Sequence, residues 1–357
     1  MLSFIQEYTS VWKQLSAAKK PIVLYGTGNG ADKILDVFSE YGISIAGVFA
    51  SDDFVRGQSF HGYSVLTYDE IKKQFDDFII VLGFGSSIPS VVEHIKELNR
   101  AHELYAPDVP LFGHHIFDLE FVRDNSAEIE KAYHMLADSQ SRKVYENIVN
   151  YKISGKIQYL LDCETDKKEA FDNILKLTAN ESYLDAGAYD ADTIFEFLRQ
   201  TGNNYREIIA LEPDIKNYQK LCNNIGELVA QDINLLNIGV YNKQCEISFC
   251  SAAGRNSCIN QNGNVEIQVN TIDNIIGEDQ VTLVKLDVEG VEKKALEGTK
   301  HTLVNCRPKL IVSAYHRSRD LYELPIYIKS ICPQYKIYMR KHPSLPAWDI
   351  NLYATIH

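Results

Sequence analysis

Short apolar runs that end in glycine or in an acidic residue constrain the fold of this chain most strongly. One such run, 183–186, leads through Gly187 and other small residues into the helix-like pattern Thr193-Ile194-Phe195-Glu196-Phe197-Leu198. The same order of apolar run, turn and amphipathic segment recurs in both halves of the sequence. Alternating strands and helices with short links predict parallel sheets with right-handed crossovers. We therefore expect an α/β protein.

The length of the chain indicates more than one domain. Its 357 residues are too many for one ordinary hydrophobic core. We predict a Rossmann-like domain over residues 1–110, a helical connector or lid over 111–177, and a second doubly wound domain over 178–357. The stretch 127–159 supports the helical connector, because it is rich in helix formers and contains no proline.

Local patterns predict further elements. Apolar residues at helical spacing indicate a helix over residues 3–19, and residues 325–332 indicate another. The apolar run 235–240 predicts a single strand. The last two runs, 335–339 and 352–356, predict a closing antiparallel pair of strands.

The composition limits the classes of partner. A formal net charge of −12 argues against nucleic acid as the default partner, since phosphate binding requires a basic surface. No apolar run approaches the length of a membrane span, and residues 1–7 lack the features of a secretory signal. We therefore expect a cytoplasmic protein, and a homodimer is left open.

The first half of the chain carries a glycine-rich pattern. The run Gly26-Thr27-Gly28-Asn29-Gly30-Ala31 follows a predicted strand, 21–25, and precedes a predicted helix. This spacing could place the phosphate of a nucleotide or nucleotide-sugar over Gly26, Gly28 and the helix start at Ala31. A tight turn that only joins strand to helix explains the pattern equally well.

The predicted strand ends of the second half carry polar residues. Asp185, Glu212, Gly239, Asp287 and His316 each lie at or just beyond the end of such a strand. Ligands of open parallel sheets bind beyond the carboxyl ends of the strands, so we expect these residues to face one crevice. In nucleotide-binding units, an acid placed like Glu212 grips the two ribose hydroxyls.

A metal site is not predicted. His114, His115 and Asp118 form the only cluster that looks metal-like, but no fourth ligand lies at suitable spacing. A surface loop is the better interpretation of these residues. The seven cysteines include no C-x-x-C pair, which gives no indication of zinc.

Several motifs of the second half resemble a known family. Residues 285–292, followed by 295–298, closely resemble the signature of FkbM-type S-adenosylmethionine-dependent methyltransferases, through Lys285-Leu286-Asp287-Val288-Glu289-Gly290-Val291-Glu292 and Ala295-Leu296-Glu297-Gly298. Two further matches are Asp185-Ala186-Gly187-Ala188 with Asp192-Thr193, and Leu211-Glu212-Pro213-Asp214. The resemblance runs roughly from Leu136 to the C-terminus. The first domain lies outside it and is similar only to generic nucleotide-sugar-binding Rossmann modules.

The resemblance implies a class I methyltransferase fold and O-methylation of a hydroxyl, often on a sugar or natural product, with S-adenosylmethionine as cofactor. It implies that Asp185 and Gly187 flank the methionine end, that Glu212 holds the ribose, and that Asp287 and Glu289 lie beside the methyl group and acceptor. The implied cofactor-binding set is Asp185, Gly187, Ala188, Asp192, Glu212, Pro213, Gly239 and Asp287. Family members usually have glycine where this chain has Ala191.

The residues agree with a cationic methyl donor. Acidic side chains are expected to line the crevice around the sulfonium: Asp185, Asp190, Glu212, Asp287 and Glu289. An alcohol acceptor also benefits from a base near its proton, for which Asp287, Glu289 and His316 are the catalytic candidates. His316 could instead be bonded to a neighbouring backbone group.

Two other functions are weighed against this hypothesis. The departure at Ala191 and the additional first domain favour a catalytically inactive nucleotide-sugar or nucleotide-binding module of a glycan biosynthesis pathway. An NAD-dependent oxidoreductase that uses Gly26 and Gly28 is the weaker alternative, because the chain offers no clear hydride-transfer set.

Overall fold

The computed structural model describes residues 2–113, 115–226, 232–250, 258–259, 263–346 and 348–356. Its seventeen strands within these ranges are β1 (Ile22–Tyr25), β2 (Gly47–Phe49), β3 (Ser59–Phe60), β4 (Tyr63–Leu66), β5 (Ile79–Leu82), β6 (Glu103–Tyr105), β7 (Ser182–Ala186), β8 (Glu207–Leu211), β9 (Ile233–Leu236), β10 (Gly239–Val240), β11 (Cys245–Cys250), β12 (Cys258–Ile259), β13 (Val265–Asn270), β14 (Leu283–Leu286), β15 (Lys309–Ser313), β16 (Lys336–Lys341) and β17 (Ile350–Thr355).

Helices alternate with these strands, which confirms the predicted α/β class. The fifteen α-helices of the described residues are α1 (Val11–Ser16), α2 (Asn29–Tyr41), α3 (Tyr68–Gln74), α4 (Pro89–Ala101), α5 (Leu119–Asp124), α6 (Ser126–Met135), α7 (Ser139–Ser154), α8 (Ile157–Asp162), α9 (Lys167–Glu169), α10 (Asp192–Thr201), α11 (Ile215–Gly226), α12 (Ile272–Ile276), α13 (Glu292–Glu297), α14 (Lys300–Asn305) and α15 (Asp320–Ile331). A 3₁₀ helix, Asp52–Phe54, and a π-helix, Ala170–Leu175, are also present. None of these helices has the length and apolar character needed to cross a membrane.

The first sheet has the strand order β3-β4-β2-β1-β5-β6. Its pairings are parallel except that of β3 with β4. Alternate residues of β1 enter two separate hydrophobic cores, Val23 and Tyr25 on one side and Ile22 and Leu24 on the other. The sheet is therefore covered on both faces, as in a doubly wound fold.

The first predicted helix is wrong in its extent. Only Val11–Ser16 of this stretch is helical. Ser10 is the N-cap of the helix, and its side chain accepts a hydrogen bond from the N–H of Lys13. Phe4 does not continue the helix but stacks on Tyr133, with the ring centroids 4.8 Å apart. Phe4 thus packs on α6 and α7 rather than along a helix face of its own segment.

The predicted connector contains α5 to α9 and is part of the core. Ten of the sixteen residues of α7 are buried. The largest hydrophobic core contains Ile148 of α7 together with Ile80 of β5 and Leu352 of β17. The connector therefore packs against both sheets. The division of the chain at residues 110 and 177 remains a prediction.

The second sheet has seven strands in the order β16-β17-β15-β14-β7-β8-β9. Numbered along the chain within the sheet, this order is 3-2-1-4-5-7-6 when read from β9. Strands β9, β8, β7, β14 and β15 are parallel, and β17 is antiparallel to both of its neighbours. The closing antiparallel pair was predicted correctly. The strand order reverses between β7 and β14, where ligands of open sheets bind.

Two predicted elements differ in the structure. The apolar run 235–240 divides between β9, in the second sheet, and β10, which joins a separate four-stranded sheet of order β10-β13-β11-β12. The chain turns at Asn237, whose amide donates to the carbonyl oxygens of Glu212 and Pro213. The helix predicted from residue 325 begins at Asp320 and includes Pro325.

Candidate active site

A cavity of about 630 Å³ lies at the carboxyl ends of β7, β8 and β14. Seven of the predicted site residues line it: Gly187, Asp192, Glu212, Pro213, Gly239, Asp287 and Glu289. Of the five strand-end residues expected to face one crevice, Glu212, Gly239 and Asp287 therefore do so, whereas Asp185 and His316 do not. Their individual roles remain predictions.

Three other predicted site residues lie behind the cavity wall. Asp185, Ala188 and His316 are fully buried and do not line the cavity. The carboxylate of Asp185 accepts the hydroxyl of Thr193 and faces the ammonium of Lys285, with Oδ1 and Nζ 3.0 Å apart. Asp185 therefore connects β7, β14 and the first turn of α10, and its placement does not support contact with the methionine end of a cofactor.

The crevice is less uniformly acidic than predicted. Neither Asp185 nor Asp190 lines it, whereas Lys285 does. Burial alone would lower the pKa of Lys285, but the carboxylates of Asp185 and Asp287 raise it above its usual value. The run 281–287 carries this lysine in an otherwise apolar strand, and a buried charge in such a strand requires a partner. That signal could have identified Lys285 from the sequence as a buried charge, although not its partner.

The turn after β7 has a strained backbone. Gly187 has φ +85°, and a Cβ atom there would overlap the carbonyl oxygen of Asp287. Tyr189 and Ala191 have φ of 48° and 77°, in the left-handed region that non-glycine residues rarely adopt. The glycine that is usual in the family at position 191 matches this conformation. In this chain Ala191 adopts the left-handed conformation instead, and its side chain is fully buried.

Glu212 is fixed at the wall of the cavity by the backbone. Its Oε2 accepts the N–H of Tyr189 at 3.0 Å, and its Oε1 accepts the N–H of Asp214 at 2.9 Å. Burial raises the pKa of Glu212 to about 7, although both of these hydrogen bonds act in the opposite direction. Beside it the cavity wall is apolar and consists of Pro213, Ile238, Val240, Phe249 and Ile267. A carboxylate next to an apolar slot fits a nucleoside.

The loop after β14 carries two acids into the cavity. Glu292, at the start of α13, accepts the N–H groups of Val288 and Gly290 at 3.1 and 3.2 Å. These bonds fold the loop tightly, and Glu289 has φ +52° within it. The hydroxyl of Tyr315 donates to Oδ1 of Asp287 at 3.2 Å. Glu292 and Tyr315 were not predicted as site residues, although Glu292 lies inside the motif 285–292 that carries the resemblance.

His316 lies between three carboxylates. Its Nδ1 is 2.8 Å from Oε1 of Glu292, and its Nε2 is 3.2 Å from Glu289 and 3.6 Å from Asp287. Burial alone would lower the pKa of His316, but Glu292 and Glu289 raise it well above 6.5. An imidazolium cannot accept a proton, so this setting opposes a role as general base. Its partners are carboxylates rather than the backbone group considered from the sequence.

The pKa values of the two acids of the loop shift in opposite directions. Burial disfavours the charged form of Asp287, but Lys285 and His316 outweigh it and lower the pKa of Asp287. Burial raises the pKa of Glu289, with His316 opposing the effect. A carboxylate whose pKa is raised toward neutrality accepts a proton more readily. Glu289 is therefore better suited than Asp287 to act as a base.

One group of side chains has the spacing of a metal site. Ligand atoms of Asp287, Glu292 and His316 lie within 4.8 Å of one another. The ion pair of His316 with Glu292, and the backbone bonds of Glu292, already account for this arrangement. In the cluster considered from the sequence, Asp118 caps α5 through the N–H groups of Glu120 and Phe121, and His114 lies outside the described residues.

The glycine-rich turn of the first sheet packs against a second loop. A Cβ atom at Gly26 would lie 2.6 Å from the ring of Phe84, and one at Gly30 would lie 2.7 Å from the carbonyl oxygen of Gly83. The cavity beside them measures about 50 Å³, whereas small-molecule sites typically measure roughly 300–1,000 Å³. Ala31 is fully buried. This geometry favours the tight-turn interpretation over a nucleotide site at Gly26, Gly28 and Ala31.

Comparison with known proteins shows which family the second half resembles. The family described as "Methyltransferase FkbM domain" matches residues 185–330. This part of the chain is therefore similar to an FkbM methyltransferase domain and is called the FkbM domain below. No curated protein matches the chain. The FkbM domain contains Gly187, Glu212, Asp287 and Glu289, and most of the cavity wall belongs to it.

Solved structures show how far the fold extends. A crystal structure of methyltransferase FkbM from Methylobacillus flagellatus KT is similar with a TM-score of 0.73 and 21% identity, over 94% of this chain and 90% of that chain. The likeness includes the first sheet, so the two-sheet arrangement accompanies an FkbM domain in another protein. An rRNA methylase from Streptococcus thermophilus matches at a TM-score of 0.36 and 11% identity, over 54% of this chain and 96% of that chain.

Proposed function

We propose that this protein is an S-adenosylmethionine-dependent O-methyltransferase that acts on a hydroxyl group of a saccharide or related metabolite. The FkbM domain supports methyl transfer as the reaction. The observation that carries the proposal is the common cavity of Gly187, Glu212, Asp287 and Glu289 at the point where the strand order reverses.

The residues of the cavity fit the proposed cofactor. Glu212 would hold the two ribose hydroxyls, because its carboxylate is already oriented by the N–H groups of Tyr189 and Asp214. The apolar wall with Ile238 and Phe249 would contact the adenine ring. Gly187, whose missing side chain lets the backbone of Asp287 approach the turn after β7, would lie beside the methionine end.

The chain itself would position the acceptor and remove its proton. S-adenosylmethionine, when bound, supplies an electrophilic methyl group on a sulfonium centre. Asp287, kept anionic by Lys285 and His316, would stabilise positive charge in the cavity. Glu289 would accept the proton of the acceptor hydroxyl. His316 would hold both carboxylates in place from behind the wall, which makes it a positioning residue.

Calorimetry with S-adenosylmethionine and S-adenosylhomocysteine tests the proposal directly. We expect binding to the full-length protein, and a loss of about tenfold or more in Glu212→Gln, which removes a charged hydrogen-bond acceptor. Glu207→Gln is the matched control, because Glu207 lies on the same strand and bonds to Ser182 away from the cavity. If wild-type protein binds neither compound, the proposed function is wrong.

A further inference from the structure

One side of the cavity is built by residues outside the FkbM domain. The loop between β5 and α4 of the first sheet reaches the cavity with Gly85, Ser86, Ser87 and Ile88. Ser86 exchanges two backbone hydrogen bonds with Leu345, at 2.6 and 2.9 Å. The first sheet therefore contributes a fixed part of the cavity wall, and its role there is not explained by cofactor binding.

Trp348 forms an aromatic surface next to this loop. A Cβ atom at Gly85 would lie 2.5 Å from its ring, so only glycine lets the ring approach so closely. The hydroxyl of Ser344 donates to the carbonyl oxygen of Trp348 at 2.6 Å and secures the turn. Trp348 is 37% exposed, so part of its surface is available to a ligand.

The polar groups around Trp348 suit hydroxyls. The ammonium of Lys167 lies 3.2 Å from Asp349 and 3.6 Å from Glu196. The amide of Asn351 donates to Asp349 at 2.8 Å. Carboxylates, amides and serine hydroxyls can form hydrogen bonds with several hydroxyls of a ligand, while a neighbouring aromatic side chain packs on the apolar face of the ligand's ring. That combination matches the surface of a sugar ring.

The charges of the cavity exclude anionic acceptors. Among the described residues that line it, the cations are Lys167 and Lys285, and each of them already faces carboxylates. Six acids line the same cavity: Asp192, Glu196, Glu212, Asp287, Glu289 and Asp349. A phosphorylated or acidic sugar, which has no positive charge of its own, would be repelled by this excess of negative charge. The proposed cofactor differs, because an ammonium group accompanies its carboxylate.

We propose that the loop Gly83–Ile88 of the first sheet and Trp348 form the acceptor subsite, and that this subsite takes an uncharged or amino-bearing sugar ring. The proposal rests on the proposed function, which it makes more specific. The first domain then serves to hold the acceptor over Asp287 and Glu289. A phosphorylated or nucleotide-linked sugar is not a substrate.

A panel of saccharides tests this subsite on the full-length protein saturated with S-adenosylhomocysteine. The panel contains methyl glycosides of neutral hexoses, amino hexoses, uronic acids, hexose phosphates and uridine-diphosphate hexoses. We expect calorimetric binding among the neutral and amino sugars and none among the acidic ones. The chain has two tryptophans, Trp12 being fully buried, so a bound sugar should change the fluorescence of Trp348.

Variants of the subsite give the second measurement. Trp348→Leu and Ser87→Ala should weaken sugar binding, by about tenfold for the tryptophan, while the affinity for S-adenosylhomocysteine changes less than about twofold. Ser90→Ala is the control, because Ser90 is exposed on the same segment but does not line the cavity. Unchanged sugar binding in Trp348→Leu would overturn the inference.

The two proposals fail in different ways. Lack of binding of S-adenosylhomocysteine itself contradicts the proposed function. If that compound binds but no neutral or amino sugar does, or if only phosphorylated or acidic sugars bind, the acceptor subsite is wrong and the methyltransferase proposal stands.

Discussion

Nζ of Lys285 lies 3.0 Å from Oδ1 of Asp185, and the two side chains are 8% and 0% exposed. The residues are direct neighbours in the register of β14 and β7. Their ion pair is thus buried at the place where the strand order reverses, directly behind the candidate active site. A charge left alone there would be poorly solvated, because the two side chains are almost fully buried.

We expect Asp185→Ala to destabilise the protein by about 3–5 kcal/mol, because it leaves the ammonium of Lys285 buried without its carboxylate. Urea unfolding measures the effect. Asp172→Ala is the control, since Asp172 pairs with Lys168 on the surface, where such pairs contribute about 0–1 kcal/mol.

The double variant Asp185→Leu/Lys285→Met distinguishes the effect of an unpaired buried charge on stability from the effect of lost packing. Replacing a buried ion pair by apolar residues of similar volume is often neutral, so most of the lost stability should return. If Asp185→Ala and the double variant are equally unstable, the pair is not what holds β7 and β14 together. Loss of cofactor binding in Asp185→Ala alone would not identify a cofactor contact.

Ala191→Gly should stabilise the protein by about 1 kcal/mol. Ala191 has φ 77°, a conformation that is unfavourable for alanine and free of strain for glycine. Thermal unfolding of the variant measures the gain. Ala188→Gly is the matched control, because Ala188 is equally buried without positive φ and should lose stability. A destabilised Ala191→Gly would show that the methyl group is packed favourably in this turn.

The affinity for S-adenosylhomocysteine should rise as the pH increases through about 7. Burial raises the pKa of Glu212 to about 7 in the free protein. Ribose hydroxyls donate to the ionised carboxylate, so binding favours that form and releases a proton from the protonated one. One pH unit below its pKa, only about one-tenth of the group is ionised, so binding should weaken about tenfold.

Calorimetry from pH 5.5 to 8.5 measures this dependence, and Glu212→Gln should remove it. Glu207→Gln should retain the wild-type profile. If the affinity for S-adenosylhomocysteine is the same at pH 6 and pH 8 in the wild-type protein, Glu212 does not hold the ribose as an ionised carboxylate.

The sequence predicted most of this site because its elements are local. The strand β7, its glycine turn and the strand end at Glu212 follow from short patterns, and the order of strands and helices gave the sheets. The wall formed by Ser86 and Trp348 could not be predicted, since the two residues are far apart in the sequence and no spacing connects them. Lys285 was visible as a charge in an apolar strand, but its partner follows only from the register of β14 with β7.

His316 should remain protonated at neutral pH. Glu292 and Glu289 raise the pKa of its imidazole well above 6.5, against the effect of burial. Nuclear magnetic resonance of the histidine rings, with His316→Gln to assign the signal, should show no titration of His316 near pH 6.5. Glu292→Gln should lower that pKa, because it removes the charge that lies 2.8 Å from Nδ1. Titration of wild-type His316 near pH 6.5 would restore it as a candidate base.

Removal of divalent metals should leave the affinity for S-adenosylhomocysteine and the melting temperature unchanged. Asp287, Glu292 and His316 have the spacing of a metal site, but Glu292 already accepts the N–H groups of Val288 and Gly290 and faces His316. A cation there would have to displace the imidazolium and its proton. Treatment with a chelator, followed by metal analysis and calorimetry with magnesium and zinc chloride, measures the effect. One tightly bound equivalent of metal, lost in His316→Gln, would contradict this prediction and would make the three residues a metal centre.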